Sequence, residues 1–168
     1  LGASPTPVAV NPWQQQTLGA TQQWLLGLIW TGALQQSLIV EAWHDGTAPS
    51  DAQWRTWHRR NAGLLASPAP AAARAGNLAW QTSPFNGQSL RRDNLFVRAA
   101  WQPGEWTLSL DALVTPIDGG HAFTAAVQWQ GNRVRLNAAW RIYGGPADAL
   151  MTQLPQKHSG VVAATVAF

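Results

Sequence analysis

Only one pair of residues sets a base beside a nucleophile, His158 and Ser159. Nucleophilic catalysis would need the imidazole within hydrogen-bond reach of the hydroxyl. In a segment of period two, neighbours point to opposite faces, so the pair is expected to stay apart and no catalytic group or enzyme is expected. His44 adjoins Asp45 and Gly46, which reads as a turn, while His58 and His121 fall near loops without metal-ligand spacing. With no cysteine either, no metal and no cofactor are expected. What remains is ionic recognition by arginine, since Lys157 is the one lysine among 11 basic residues. One set, Arg55, Arg59, Arg60, Arg74, Arg91 and Arg92, lies within 44–93; a second, Arg98, Arg135 and Arg141, alternates with apolar residues and is accompanied by Glu41 and Asp111.

The elements that would position the second set are strands. Residues 23–31 put Trp24, Leu26, Leu28 and Trp30 on one face, and 37–43 put Leu38, Val40 and Ala42 opposite Ser37, Ile39, Glu41 and Trp43. The same alternation runs through 94–102, 106–114, 122–130, 133–143 and 160–168. Short turns are expected at 32–36, at Pro103-Gly104 and at Gly131-Asn132, and longer connections at 44–93, 115–121 and 144–159. One side of each strand is apolar; the other mixes Arg, Asp, Asn, Gln and Thr. Arg98 and Asp111 come out as diagonal neighbours across the Pro103-Gly104 hairpin, suited to structural pairing.

Composition sets the environment. The chain has 168 residues, 46% apolar and only 11% charged, with 11 Trp against one Tyr, where a soluble domain carries about a quarter charged. Its net charge of +3 is small and its arginines are scattered, which speaks against nucleic acid. An apolar-out, polar-in pattern fits a transmembrane β-barrel; a soluble sandwich or lipocalin-like barrel is the alternative. The tryptophans decide between them: Trp30, Trp101, Trp106 and Trp129 fall near short turns on one rim, and with Trp24 and Trp140 they form an expected aromatic belt at the membrane interface.

On these residues the stretch from about 20 to 168 resembles the C-terminal part of a Gram-negative outer-membrane porin-like β-barrel. The resemblance implies an all-β, antiparallel up-and-down barrel in the outer membrane, contact with its lipid and lipopolysaccharide, and recognition of the last strand by the barrel-assembly machinery. Val166 and Phe168 match that assembly signal, whereas Val161 and Ala163 stand where the pattern favours a polar residue and Gly. Homo- or hetero-oligomer formation stays open.

With short turns in the periplasm, the seven visible strands give an odd count, so an ascending strand is expected before Trp24. Residues 3–13 are one candidate, poor because of Pro5, Pro7 and Pro12; the other reading is that the chain continues a larger barrel. Residues 1–19 are thus a segment of uncertain role, and 20–168 the barrel, with 44–93 as a long external loop. In that loop Ser50-Asp51-Ala52-Gln53 is a capping box opening a short helix, with Gly63 as its stop; the helix, with Trp54 and Trp57 on one face, is expected to pack on the barrel mouth or fold into the lumen. The run from Ala66 to Gly76 reads as mobile. Arg55, Arg59, Arg60, Arg91 and Arg92 are expected to contact lipopolysaccharide phosphate, against the plainer reading of a solvated loop; a solute-selecting constriction helix is a third. Arg98, Arg135, Arg141, Glu41 and Asp111 are expected to line the lumen. The functional expectation is a channel passing small polar, perhaps anionic, solutes, with a non-conducting membrane anchor or envelope partner as the alternative.

Overall fold

The computed structural model describes residues 6–13, 19–87 and 89–167. The described chain is mostly antiparallel β-sheet with two helices, and it divides into two compact units: 24–44 with 93–168, and 1–23 with 45–92.

The first unit holds a seven-stranded sheet in the order of the sequence: β1 (Gln23–Thr31), β2 (Gln36–Asp45), β3 (Asp93–Trp101), β4 (Trp106–Thr115), β5 (Gly120–Gln130), β6 (Val134–Gly144) and β7 (His158–Val166). The order is linear, so β1 and β7 are edges and the sheet is not closed among the described residues. Alternation is what makes these segments strands: along one row of the apolar face each residue meets an apolar residue on the next strand, Leu38↔Ala99, Ala99↔Leu110, Leu110↔Ala125 and Ala125↔Trp140. At the β3–β4 hairpin the two-residue loop is Gly104-Glu105 rather than Pro103-Gly104. Gly104 takes φ +63°, which suits the first central position of such a loop, and Trp106 N donates to Pro103 O at 3.2 Å. This shift puts Arg98 directly opposite Asp111, not diagonal to it.

Strand ends are staggered across the sheet. Val40, Val97, Ala112, Phe123, Ile142 and His158 form one cross-strand row; Val40 lies five residues before the end of β2, whereas His158 is the first residue of β7. Five strand spacings separate them, so the rim shifts by one residue per strand. A rise of about 3.4 Å per residue over a spacing of about 4.8 Å corresponds to a tilt of about 35°.

The two faces differ in exposure, and in the unexpected sense for a water-soluble sheet. Leu110 is 65% exposed while its neighbour Ser109 is 8% exposed. Asn94, Thr115 and Ala122, on the side of Ser109, are buried, whereas Leu108, Phe123, Leu136, Ile142 and Val162 on the side of Leu110 are exposed.

The second unit is built on α1 (Asp51–Ala66) and α2 (Ala71–Trp80). The capping box forms: Ser50 Oγ accepts from Gln53 N at 3.3 Å and Gln53 Oε1 accepts from Ser50 N at 2.6 Å. The helix runs through Gly63 to Ala66 and is capped by Ser67, after which Pro68 prevents its continuation. The stretch expected to be mobile, 66–76, instead holds the first six residues of α2, because Ala71-Ala72-Ala73 are the strongest helix formers and follow directly on Pro70. Trp54 and Trp57 turn to Phe85, with ring centroids 5.4 and 5.5 Å away, and donate to Leu90 O and Gln81 O at 2.8 and 2.7 Å. The indole face of α1 is therefore occupied within its own unit. Residues 6–13 are not a strand: Val8 N and O bond to the side chain of Asn77, and Trp13 Nε1 donates to Gln81 Oε1 at 3.0 Å.

Candidate functional site

The polar face of the sheet gathers the ionic residues into a pattern. Arg98 on β3, Asp111 on β4, Thr124 on β5 and Arg141 on β6 occupy one continuous cross-strand row, flanked by Ile39 on β2 and Ser159 on β7. Arg98 Nε lies 3.7 Å from Asp111 Oδ1, and Arg141 Nε donates to Thr124 Oγ1 at 2.8 Å. Both arginines are accessible, Arg98 at 43% and Arg141 exposed. The row can therefore offer two guanidinium forks to an anion, and each fork can bind carboxylate or phosphate in bidentate fashion.

A row of small residues borders this one: Ser37, Ala100, Ser109, Ala126, Ala139 and Val161. Beyond it Thr107, Gln128 and Asn137 present hydroxyl and amide groups. Arg135 stands apart at the short-turn end, donating to Gln130 Oε1. Glu41 also lies outside the row, in the next one with Phe96, Leu113, Ala122 and Tyr143, and a Cβ on Gly27 would stand 3.5 Å from its Cγ. The five expected lumen residues thus share a face, and three of them share a row.

At the long-connection end of the same face, the segment after β6 folds back. Asp118 clasps it: Oδ2 accepts from Leu150 N at 3.0 Å, and Oδ1 accepts from Thr115 Oγ1 at 2.6 Å and Gly120 N at 3.0 Å. Ala149, Leu150 and Met151 are buried there, and Gly145, at φ +140°, approaches the backbone of Gly119 and Gly120 too closely for a side chain. This clasp was not visible in the sequence, where 144–159 showed only a long connection.

The arginines assigned to lipopolysaccharide divide. Arg60 is 1% exposed and donates to Asn77 Oδ1 at 2.6 Å, so it is internal to the helical unit; burial pushes its pKa below the ordinary value. Arg91, 5% exposed, is ion-paired with Asp51, and Arg92 Nε donates to Ala48 O at 3.0 Å. Arg74 Nη1 donates to Ser67 O at 2.9 Å. Arg60 and Arg91 are removed from any external contact, because within the helical unit Arg60 is turned to the buried Asn77 side chain and Arg91 to the Asp51 carboxylate. Arg55 and Arg59 are exposed on α1.

His158 pairs with Ile142 on the apolar face and Ser159 with Arg141 on the polar face, so base and nucleophile are on opposite sides of the sheet. Among the described residues no group of three His, Cys, Asp or Glu could hold a metal ion.

Comparison with known proteins identifies no relative. No protein-family model, no curated protein and no solved structure matches this chain. The site must be read from its own geometry.

On the apolar face, Trp106 and Trp129 pair across β4 and β5 at the short-turn end, with Trp101 one apolar row away, and Trp129 Nε1 donates to Glu105 Oε2 at 3.0 Å. Trp24 and Trp140 lie toward the other end, each stacked on a histidine: Trp24 on His44 at 6.1 Å and Trp140 on His158 at 5.3 Å between ring centroids. Val166 pairs with Val134 at the end of β7, and Phe168, the other residue of the expected assembly signal, lies outside the described residues.

Proposed function

We propose that this sheet is part of the wall of a transmembrane β-barrel in a Gram-negative outer membrane, and that the barrel passes small polar, preferentially anionic, solutes along its Arg98–Arg141 row. The observation that carries the reading is the inversion at Ser109 and Leu110, 8% and 65% exposed. In water, leaving such a leucine face uncovered costs about 25 cal/mol per Å² of apolar surface, and in hydrocarbon that cost vanishes. A one-residue stagger per strand and a tilt of about 35° support the same environment, since membrane barrels tilt by roughly 35–45°. A soluble sandwich would instead cover the leucine face with a second sheet. No helix among the described residues is long and apolar enough to cross a membrane, which leaves strands as the spanning elements of this reading.

The row of arginines would give the lumen its preference. The protein in a planar bilayer is expected to conduct with anions favoured, and Arg98→Ala with Arg141→Ala to reduce that preference; cation preference in the unsubstituted protein would overturn it.

A second reading, a non-conducting barrel serving as an anchor or envelope partner, is favoured by one observation: Arg98–Asp111 links β3 to β4 and Arg141–Thr124 links β6 to β5. In a narrow barrel such links would fill the interior. Correct folding without conductance would select this reading over the first.

A further inference from the structure

We infer that Asn77 and Gln81 form a receptor for an extended peptide, filled here by residues 6–13 of the same chain and open to the same residues of a second copy. The inference concerns the helical unit alone and does not rest on the membrane reading.

Residues 6–13 add neither strand nor helix to that unit. The Asn77 carboxamide takes both main-chain groups of Val8, Oδ1 accepting from Val8 N at 3.0 Å and Nδ2 donating to Val8 O at 3.1 Å, as a neighbouring strand would. Trp13 Nε1 donates to Gln81 Oε1 at 3.0 Å, and Asn11 Nδ2 donates to Ser83 Oγ at 3.2 Å. Between these anchors Ala9 and Val10 are exposed, Val10 at 70%. A valine left facing outward shows that the segment docks by its anchors rather than by burial along its length.

The receptor side is preorganised. Asn77 and Gln81 are each 3% exposed and stand about one helical turn apart at the C-terminal end of α2. Arg60 Nη2 donates to the same Asn77 Oδ1 at 2.6 Å, and Asn77 Nδ2 donates also to Ala73 O at 3.1 Å. These two bonds fix which end of the carboxamide is oxygen, and they leave one acceptor site and one donor for the N–H and C=O of a peptide. At Gln81, Nε2 donates to Trp57 O at 3.2 Å, so Oε1 is left for an N–H, which an indole supplies and a phenyl ring does not. An emptied receptor would leave these buried groups unpaired, which favours refilling. On the peptide side, Pro7 and Pro12 directly precede the two anchor residues and narrow the conformations of the free segment before docking. None of these contacts depends on residues 6–13 belonging to the same polypeptide, so exchange between two copies keeps the same bonds.

Complementation between two full-length variants tests this. W13A lacks the indole anchor and keeps the receptor; N77A loses the receptor and keeps the segment. Mixed in detergent, the two are expected to associate in sedimentation, and neither to do so alone. A labelled peptide of residues 6–13 is expected to bind W13A at least about tenfold more tightly than it binds the unsubstituted chain, whose receptor is filled. The same peptide with Trp13→Phe should bind W13A about tenfold more weakly for want of the N–H. If W13A loses its helical circular dichroism, Val8→Pro, which removes a main-chain donor and keeps the indole, takes its place. Loss of helicity in both would show that the segment is core rather than ligand and would overturn the inference. So would equal peptide binding to W13A and to the unsubstituted chain, no binding to W13A, or equal binding of the Phe peptide. Peptide binding without association of the two variants would overturn the second copy as the occupant and support the receptor.

Discussion

Trp140 and Gly160 face each other directly across the β6–β7 seam, and the indole covers the glycine so closely that a Cβ there would stand 2.7 Å from the ring. The absent side chain lets the ring lie across the edge strand and reach His158. An aromatic ring over a glycine shields exposed backbone where no further strand is paired.

Gly160→Val is therefore expected to displace the indole and to lower stability by about 1–3 kcal/mol, the usual cost of overpacking. Urea unfolding in detergent checks this, with loss of the Trp140–His158 stack read from tryptophan emission. Unchanged stability with unchanged emission would contradict the contact.

The Arg98–Asp111 pair is expected to contribute little to folding. It is wide, at 3.7 Å, and the arginine is 43% exposed, so a double-mutant cycle with Arg98→Ala and Asp111→Ala should give a coupling of about 1 kcal/mol or less. Its effect on permeation is predicted to be larger: Asp111→Asn removes the one carboxylate from the row and should strengthen anion preference. A coupling of several kcal/mol would mean the pair is more shielded than its exposure indicates.

Arg60 matters to the helical unit rather than to any outer surface. Its guanidinium bonds Asn77, which in turn bonds Val8 N and O and Ala73 O. Arg60→Met should destabilise this unit by about 2–3 kcal/mol, the scale of a lost hydrogen bond to a charged group. Hydrogen exchange should quicken in 51–80 and 6–13 while β3 to β6 keep their protection. Equal acceleration throughout the sheet would show that the two units unfold as one.

Asp118→Ala should release the clasp after β6. Two backbone donors, Gly120 N and Leu150 N, lose their acceptor, and the hydroxyl of the buried Thr115 keeps only the Gly120 carbonyl. The local cost is about 2 kcal/mol, and trypsin should then cut at Lys157 faster than in the unsubstituted protein. An unchanged cleavage rate would show that the burial of Leu150 and Met151 suffices to hold the segment.

Seven strands, their faces and most of their boundaries were legible in the sequence, because alternation is local: a residue's neighbours two positions away already fix which side it shares. The capping box at Ser50 was legible for the same reason. What the tertiary structure decided was partnership across the chain. Arg98 and Asp111 became opposite rather than diagonal because the hairpin turned at Gly104-Glu105, a shift of one residue that moves every cross-strand partner. Arg60 and Arg91 look like solvent arginines in sequence, yet their acceptors, Asn77 and Asp51, lie 17 and 40 residues away. Local periodicity determines the faces of a strand, whereas long-range pairing determines which side chains meet on them.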